Sequence, residues 1–336
     1  MIPFEQALET ALGAARTLQS ETVELPRALS RVLAEDVKAD MDMPPFDKSS
    51  VDGYVCRRED LAKSLALVET IAAGYEPKRT LEPGQCAKIM TGAMIPDGAD
   101  CVFMVEDSEA GGDGKIVKFT GEQQDDFIVP RAKDVGVGDV LLRAGDRLFP
   151  AEIAVLASMG YATVSVSTAP KVGVVATGDE LVEPDTKPSV SQIRNSNGYQ
   201  LCAQVEAMGA DATYCGIAGD SEESLTVTLG PALEAHDVII LSGGVSMGDF
   251  DFVPRILKAH GVNLLFEKVA IQPGKPTVFG LSDSVFCFGL PGNPVSTFTT
   301  FELIVKPFLF AMMGHNYSAP SIHMPLAEPF RRKVAV

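Results

Sequence analysis

The chain has 336 residues, with 28 Lys and Arg against 45 Asp and Glu, a formal net charge of −17 at pH 7. A polyanion is held by clustered basic side chains that release counterions, so this balance excludes a general nucleic-acid binder, and any anionic ligand has to be held locally. Hydrophobic residues at 46% and charged residues at 22%, with 30 Gly and 22 Pro, exclude a disordered or collagen-like chain and supply a core for two or three domains.

The chain opens Met1-Ile2-Pro3-Phe4-Glu5, without a basic segment ahead of an apolar one. No apolar run approaches the ~18 residues of a membrane span, since charges such as Lys306 interrupt the candidates. We therefore expect a cytoplasmic protein that binds neither membrane nor nucleic acid. Its six cysteines are scattered without a C-x-x-C, a pattern expected of small buried hydrophobes rather than of a zinc site or disulfides.

In chain order, Phe4, Ala7, Leu8, Ala11, Leu12 and Ala15 recur at helical spacing opposite Glu5, Glu9 and Arg16, which predicts an amphipathic helix over 3–18. A second helix is predicted over 26–35, before Met43-Pro44-Pro45-Phe46, which cannot be helical. From 44 to 135 short apolar runs at 65–72, 86–90, 101–106, 115–119 and 127–130 alternate with turn residues, notably Gly-Gly-Asp-Gly at 111–114, as in a small all-β domain. Pro150 opens a helix over 151–159 whose apolar stripe matches that of the first helix and could pack beside it. The expected organisation is a helical and linker domain of 1–43 plus 136–169, with the β domain of 44–135 inserted into it.

Beyond Pro170, apolar runs at 171–176, 213–217, 237–241 and 285–289 alternate with helical patterns at 197–208, 221–235, 253–260 and 295–313. This alternation predicts a doubly wound α/β domain over 170–317, a parallel sheet with helices on both faces. Residues 318–336 are Pro-rich, then basic, and too short to fold alone.

Ligands of an open α/β sheet bind at the carboxyl ends of the strands, and three strands here run into unusual loops. The first loop is Thr177-Gly178-Asp179-Glu180; the second runs from Ser242-Gly243-Gly244 through Ser246 to Asp249 and Asp251; the third is Leu290-Pro291-Gly292-Asn293-Pro294-Val295-Ser296. Glycines in the second let backbone approach a phosphate closely, although they could equally make a tight turn with Asp251 as a helix cap. Asn293 and Pro294 suit a helix start whose partial positive charge favours an anion, or simple helix initiation. The carboxylates Asp179, Glu180, Asp249 and Asp251 suit a hard divalent cation bridging to phosphate, or a solvated cluster. Arg194, Lys268 and Lys275 are basic residues in loop-like sequence that could offset an oxyanion. The chain lacks G-x-x-x-x-G-K-[ST] and a proper G-x-G-x-x-G, which argues against a P-loop NTPase or a dinucleotide dehydrogenase.

Pro44-Pro45-Phe46-Asp47-Lys48-Ser49-Ser50-Val51-Asp52-Gly53-Tyr54, Thr91-Gly92-Ala93, Pro96 with Gly98-Ala99-Asp100, Thr177-Gly178-Asp179-Glu180-Leu181, Ser242-Gly243-Gly244-Val245-Ser246 and Leu290-Pro291-Gly292-Asn293-Pro294-Val295-Ser296 occur in order. Together these segments resemble the molybdopterin molybdenumtransferases, the MoeA and gephyrin E-domain family, over about residues 1–317.

The resemblance implies insertion of molybdate into adenylylated molybdopterin with release of AMP, assisted by Mg2+. It also implies a homodimer with a shared active site, an α/β domain related to the molybdopterin adenylyltransferases, and a terminal β-barrel of which 318–336 resemble only the first strand, so that the barrel is mostly absent here. Asp52, Thr91, Asp134, Glu180 and Asp251 match the family's functional positions, with Glu180 and Asp251 as metal carboxylates. Thr177, Gly178, Asp179, Arg194, Ser196, Ser242, Gly243, Gly244, Ser246, Lys268, Lys275, Pro291, Gly292, Asn293 and Ser296 fall at the pterin or oxyanion pocket. Candidate partners are a molybdopterin adenylyltransferase and molybdoenzyme apoproteins. Gln272 stands where many members carry Lys, which removes one positive charge near the oxyanion and leaves tungstate open beside molybdate. Alternative readings are an adenylyltransferase, which would consume ATP, and a scaffold of the same fold that binds peptides.

Overall fold

A computed structural model describes residues 1–111, 113–122, 125–245, 252–319, 322–325 and 327–328. The chain divides into two units, one of Met1–Glu35, Arg143–Ala154 and Ala162–Val336, the other of Asp36–Leu142 and Val155–Tyr161.

The second unit is built on a sheet of six strands: β1 (Gly53–Cys56), β2 (Ser64–Ile71), β3 (Gln85–Ile89), β4 (Cys101–Met104), β5 (Ser108–Gly111) and β6 (Ile116–Phe119). Their order is β4-β1-β3-β2-β6-β5, antiparallel throughout except for β2 with β3. The two-residue period divides the side chains: Tyr54, Cys56, Cys86 and Phe103 fill one face, while Val55, Ala87, Ile89 and Val102 fill the other. Cys56 lies directly across from both Cys86 and Cys101, and all three are buried. The Cys101 hydrogen bond and then burial hold the Cys56 thiol well above its ordinary pKa, and burial pushes Cys86 up to about 12. These thiols therefore stay protonated and behave as packing groups.

Only two helices, α1 (Phe4–Ala14) and α2 (Pro150–Ser158), occur in the segments expected to form a helical domain. The rest is largely strand and turn: Ser20–Glu24 pairs with Thr163–Ser167, and Val37–Lys38 with Val140–Leu142. The helix expected over 26–35 is replaced by a 3-10 turn at Leu25–Arg27. Ser30 then adopts a φ of 67°, which ends helical geometry, and Val32 and Leu33 form bridges. The buried face of α1, Ala7 and Ala11, packs into the α/β core with Phe301, Ile304 and Phe308.

That core surrounds a second six-stranded sheet, β7 (Lys171–Thr177), β8 (Asp211–Ala218), β9 (Val238–Ser242), β10 (Asn263–Phe266), β11 (Val278–Leu281) and β12 (Phe286–Leu290), in the order β8-β7-β9-β12-β11-β10. The first four strands are parallel, whereas β11 and β10 add antiparallel, so the sheet is mixed rather than wholly parallel. An antiparallel edge needs no crossover helix, and the two short strands therefore lack the alternation that marks the others.

Helices α3 (Asn197–Glu206), α4 (Glu222–Ala235), α5 (Val253–Ala259), α6 (Pro294–Thr300) and α7 (Lys306–Met312) complete the unit. Leu201 and Val205 of α3 join Phe301 and Phe308 against Val174, Ile240 and Phe288 on one face. Leu225 and Leu229 of α4, with Ile256 and Leu257 of α5, pack against Val175, Ile239 and Cys287 on the other.

Pro294–Met312 is long and apolar enough to cross a membrane by length and composition, contrary to the sequence expectation, because Glu302 and Lys306 together do not lower its mean hydropathy enough. Its apolar residues Phe301, Ile304, Val305, Phe308 and Leu309 are consumed by the core beneath the sheet. Among the described residues of 318–336 no strand forms.

Candidate active site

Strand β7 lies between β8 and β9. The chain leaves it through α3 to pair β8 on one side, then returns through α4 to pair β9 on the other. The connecting helices α3 and α4 thus take opposite faces, and a crevice opens between the carboxyl ends of β7 and β9. A pocket of about 230 Å³ occupies this position.

The pocket is lined by Thr177, Gly178 and Glu180 after β7, by Ser242, Gly243 and Gly244 after β9, and by Pro291 and Gly292 after β12. Arg194 and Ser196 join the wall ahead of α3. All ten were expected there from the sequence. The loops are fastened to one another: Thr177 Oγ1 donates to Ser242 O at 3.3 Å, and Gly243 N donates to Leu290 O at 3.0 Å. Gly243 needs its φ of 102°, and a Cβ there would meet Thr177 O at 2.6 Å. A Cβ on Gly178 would fall on the Glu180 carboxylate, so that glycine makes room for the acid.

Other expected residues are placed differently. The Asp179 carboxylate accepts from Asp220 N at 3.0 Å, and Asp179 N donates back to Asp220 Oδ2 at 3.3 Å. Asn293 Oδ1 caps α6, accepting from Val295 N at 3.1 Å and Ser296 N at 3.3 Å. Lys275 is exposed and Lys268 half-buried, and from that loop it is Pro276 that reaches the pocket wall. Ser246 and Asp251 lie outside the described residues.

In the other unit Asp52 and Thr91 are in direct contact. Asp52 Oδ1 accepts from Thr91 N at 2.6 Å and Thr91 Oγ1 at 2.7 Å. These two bonds, the backbone one first, hold the Asp52 carboxyl below its ordinary pKa, with Lys88 adding to the effect. Asp134 is exposed, and its backbone N–H donates to Met43 O at 2.9 Å.

Sequence reasoning missed Asp220 and Asn197, both in the pocket wall. Asp220 follows β8, a strand whose end carries no glycine-rich run to mark it. Asn197 sits inside a motif whose charged and hydroxyl members drew attention first. Asn195 also lines the pocket, and its Nδ2 donates to Tyr214 OH at 2.7 Å, while Glu183 accepts from Tyr214 at 2.7 Å and Tyr199 at 3.0 Å. Burial and then the Glu183 bond push Tyr214 above its ordinary pKa, and the Glu183 bond does so for Tyr199, so both remain donors that anchor the wall.

Among the described residues no group of three or more His, Cys, Asp and Glu side chains is arranged to hold a metal ion. The wall offers the carboxylates of Glu180 and Asp220 beside hydroxyl and backbone oxygens, a hard donor set that fits Mg2+ when a substrate phosphate supplies further ligands.

Comparison with known proteins gives this geometry a context. Residues 2–160 match the family described as MoeA N-terminal region (domain I and II), and residues 173–311 match the probable molybdopterin binding domain. The chain is 37% identical to molybdopterin molybdenumtransferase of Staphylococcus aureus strain MRSA252, over 96% of this chain and 78% of that protein. It is 36% identical to that of Bacillus subtilis strain 168, over 99% of this chain and 81% of that protein. A crystal structure of a molybdopterin biosynthesis MoeA protein from Pyrococcus horikoshii superposes with a TM-score of 0.77 at 33% identity, covering 94% of this chain and 80% of that one. With both regions matched in order and the pocket built from the motif loops, the chain belongs to the molybdopterin molybdenumtransferase family of molybdenum cofactor biosynthesis.

Proposed function

We propose that this chain inserts molybdate into adenylylated molybdopterin and releases AMP. The observation that carries the reading is the convergence of the β7, β9 and β12 loops on one pocket at the switch point of the sheet. Gly243 and Gly244 let backbone approach the substrate's phosphates, and Arg194 offsets their charge. Lys268 and Lys275 would serve the oxyanion from the loop that leads to Pro276. Ser196, Ser242 and Ser296 are the hydroxyls assigned to the pterin and oxyanion. Water adds to phosphorus, the anhydride P–O bond breaks and AMP departs, while the two dithiol sulfurs bind molybdenum and give up their two protons to one molybdate oxide, which leaves as water.

Glu180 would hold Mg2+ in this pocket, its sequence-assigned partner Asp251 lying outside the described residues. When bound, Mg2+ neutralises phosphate charge and polarises the anhydride. Asp52 stays anionic because Thr91 donates to it twice, which suits it to orienting a proton-bearing group more than to acting as a strong base. Asp134 is proposed as a further acid of the reaction. The same reading includes a cytoplasmic homodimer with a shared active site, supplied by an adenylyltransferase and feeding apoenzymes.

The test is AMP release from adenylylated molybdopterin and Mg2+, with molybdate, tungstate or neither. Molybdate-stimulated release without ATP consumption is expected. Consumption of ATP would replace the reading with adenylyl transfer, and tight binding without release would replace it with a scaffold.

A further inference from the structure

We infer that Asn197 is the positioning residue that holds the start of α3, the end of β9 and the loop after β12 in register. The inference rests on reading this pocket as the molybdopterin site. Asn197 opens α3 and is only 9% exposed. Its Nδ2 donates to Ser242 Oγ at 2.8 Å and to Gly292 O at 2.8 Å, and lies 3.3 Å from Thr297 Oγ1. One amide therefore joins the start of α3, the end of β9, the loop after β12 and the first turn of α6. The glycines it spans are close, since a Cβ on Gly292 would come within 3.7 Å of Gly243 Cα.

The other half of the amide supports the assignment. Asn197 Oδ1 is buried without a hydrogen-bond partner. A buried acceptor left unpaired opposes folding, so a residue chosen for stability alone would carry both halves satisfied or be apolar. What the site gains is two donor hydrogens at a fixed point, and neither Asp nor Leu, both close to Asn in size, supplies them.

Asn197→Asp separates positioning from bulk. At neutral pH its carboxylate faces Gly292 O and Ser242 Oγ with no donor; on protonation it regains one. Burial raises the carboxyl's pKa, so recovery falls in the mildly acid range. The charged side chains lining the same pocket are Glu180, Arg194 and Asp220, and the described residues of the β9, β12 and α6 ends present none. Each variant is therefore read as a ratio to wild type at the same pH.

The experiment compares wild type, Asn197→Asp and Asn197→Ala by hydrogen exchange of the ligand-free chain, and by binding of adenylylated molybdopterin and AMP release. We expect faster exchange at 242–245 and 290–297 in both variants at neutral pH. Binding and turnover should fall about tenfold or more, with recovery toward acid pH in Asn197→Asp alone. Wild-type exchange rates in Asn197→Asp at neutral pH, or a flat pH ratio, would overturn the inference. If wild type binds but releases no AMP, the proposed reaction fails while the exchange result still decides the role of Asn197. A variant that fails to fold shows global rather than local exchange, and overturns a role confined to the pocket.

Discussion

Two donors from one threonine set the charge state of Asp52. A folded pKa below the ordinary 3.8 means that Asp52 contributes stability fully present above that value and lost as pH falls through the lowered one. Thr91→Val removes the hydroxyl and leaves the backbone N–H. Its Asp52 pKa, followed by carboxyl NMR, is expected to rise part of the way back toward 3.8, and acid unfolding of this unit should begin at a correspondingly higher pH; an unmoved titration would show that the hydroxyl bond is not made in solution. The D-G-Y and T-G-A motifs could be read from sequence, yet the bond between residues 52 and 91 could not, because β1 and the turn after β3 meet only when the sheet forms.

At the scale of elements, the long C-terminal pattern shows what periodicity captures. The helical pattern over 295–313 is realised as one unbroken run of α6, a π-helical turn at Phe301–Val305, and α7. Pro307 has no N–H to donate and its ring crowds the preceding turn, and the wider turn ahead of it accommodates both effects. The start of this segment was legible: Asn293 caps it and Pro294 takes the first position, as their preferences dictate. Asn293→Ala is expected to lower stability by about 1 kcal/mol in denaturant unfolding, the usual cost of losing such a cap. No change would mean that the pocket loop, rather than the cap, holds the helix start. The short strands β10 and β11 stayed hidden because an edge hairpin needs neither a long apolar run nor a helix.

For the molecule as a whole, stability is organised by unit. Phe308 is fully buried, with its ring centroid 4.9 Å from Phe286, 5.1 Å from Phe288 and 5.5 Å from Phe279. Phe308→Ala should cost about 3–5 kcal/mol through lost contacts and the cavity left behind. Hydrogen exchange is expected to localise that loss to the α/β sheet and its helices, with β1 to β6 keeping their protection. Equal loss in both sheets would show that the two units unfold together.

Elements whose signal is local are legible along the chain: most helices, most strands of the two six-stranded sheets, the glycine-rich and G-N-P loops, and the family to which their order belongs. These rest on side-chain period, caps and turn residues, all set by near neighbours along the chain. Only the tertiary structure decided that the crevice falls between β7 and β9, that Asp220 and Asn197 line it, and that the second helical prediction becomes turn and bridge. Strand order is chosen by which faces bury against which, and a hydrogen bond such as Asn197 to Gly292 spans 95 positions. No window of sequence contains both ends of such a contact, so packing has to bring them together first.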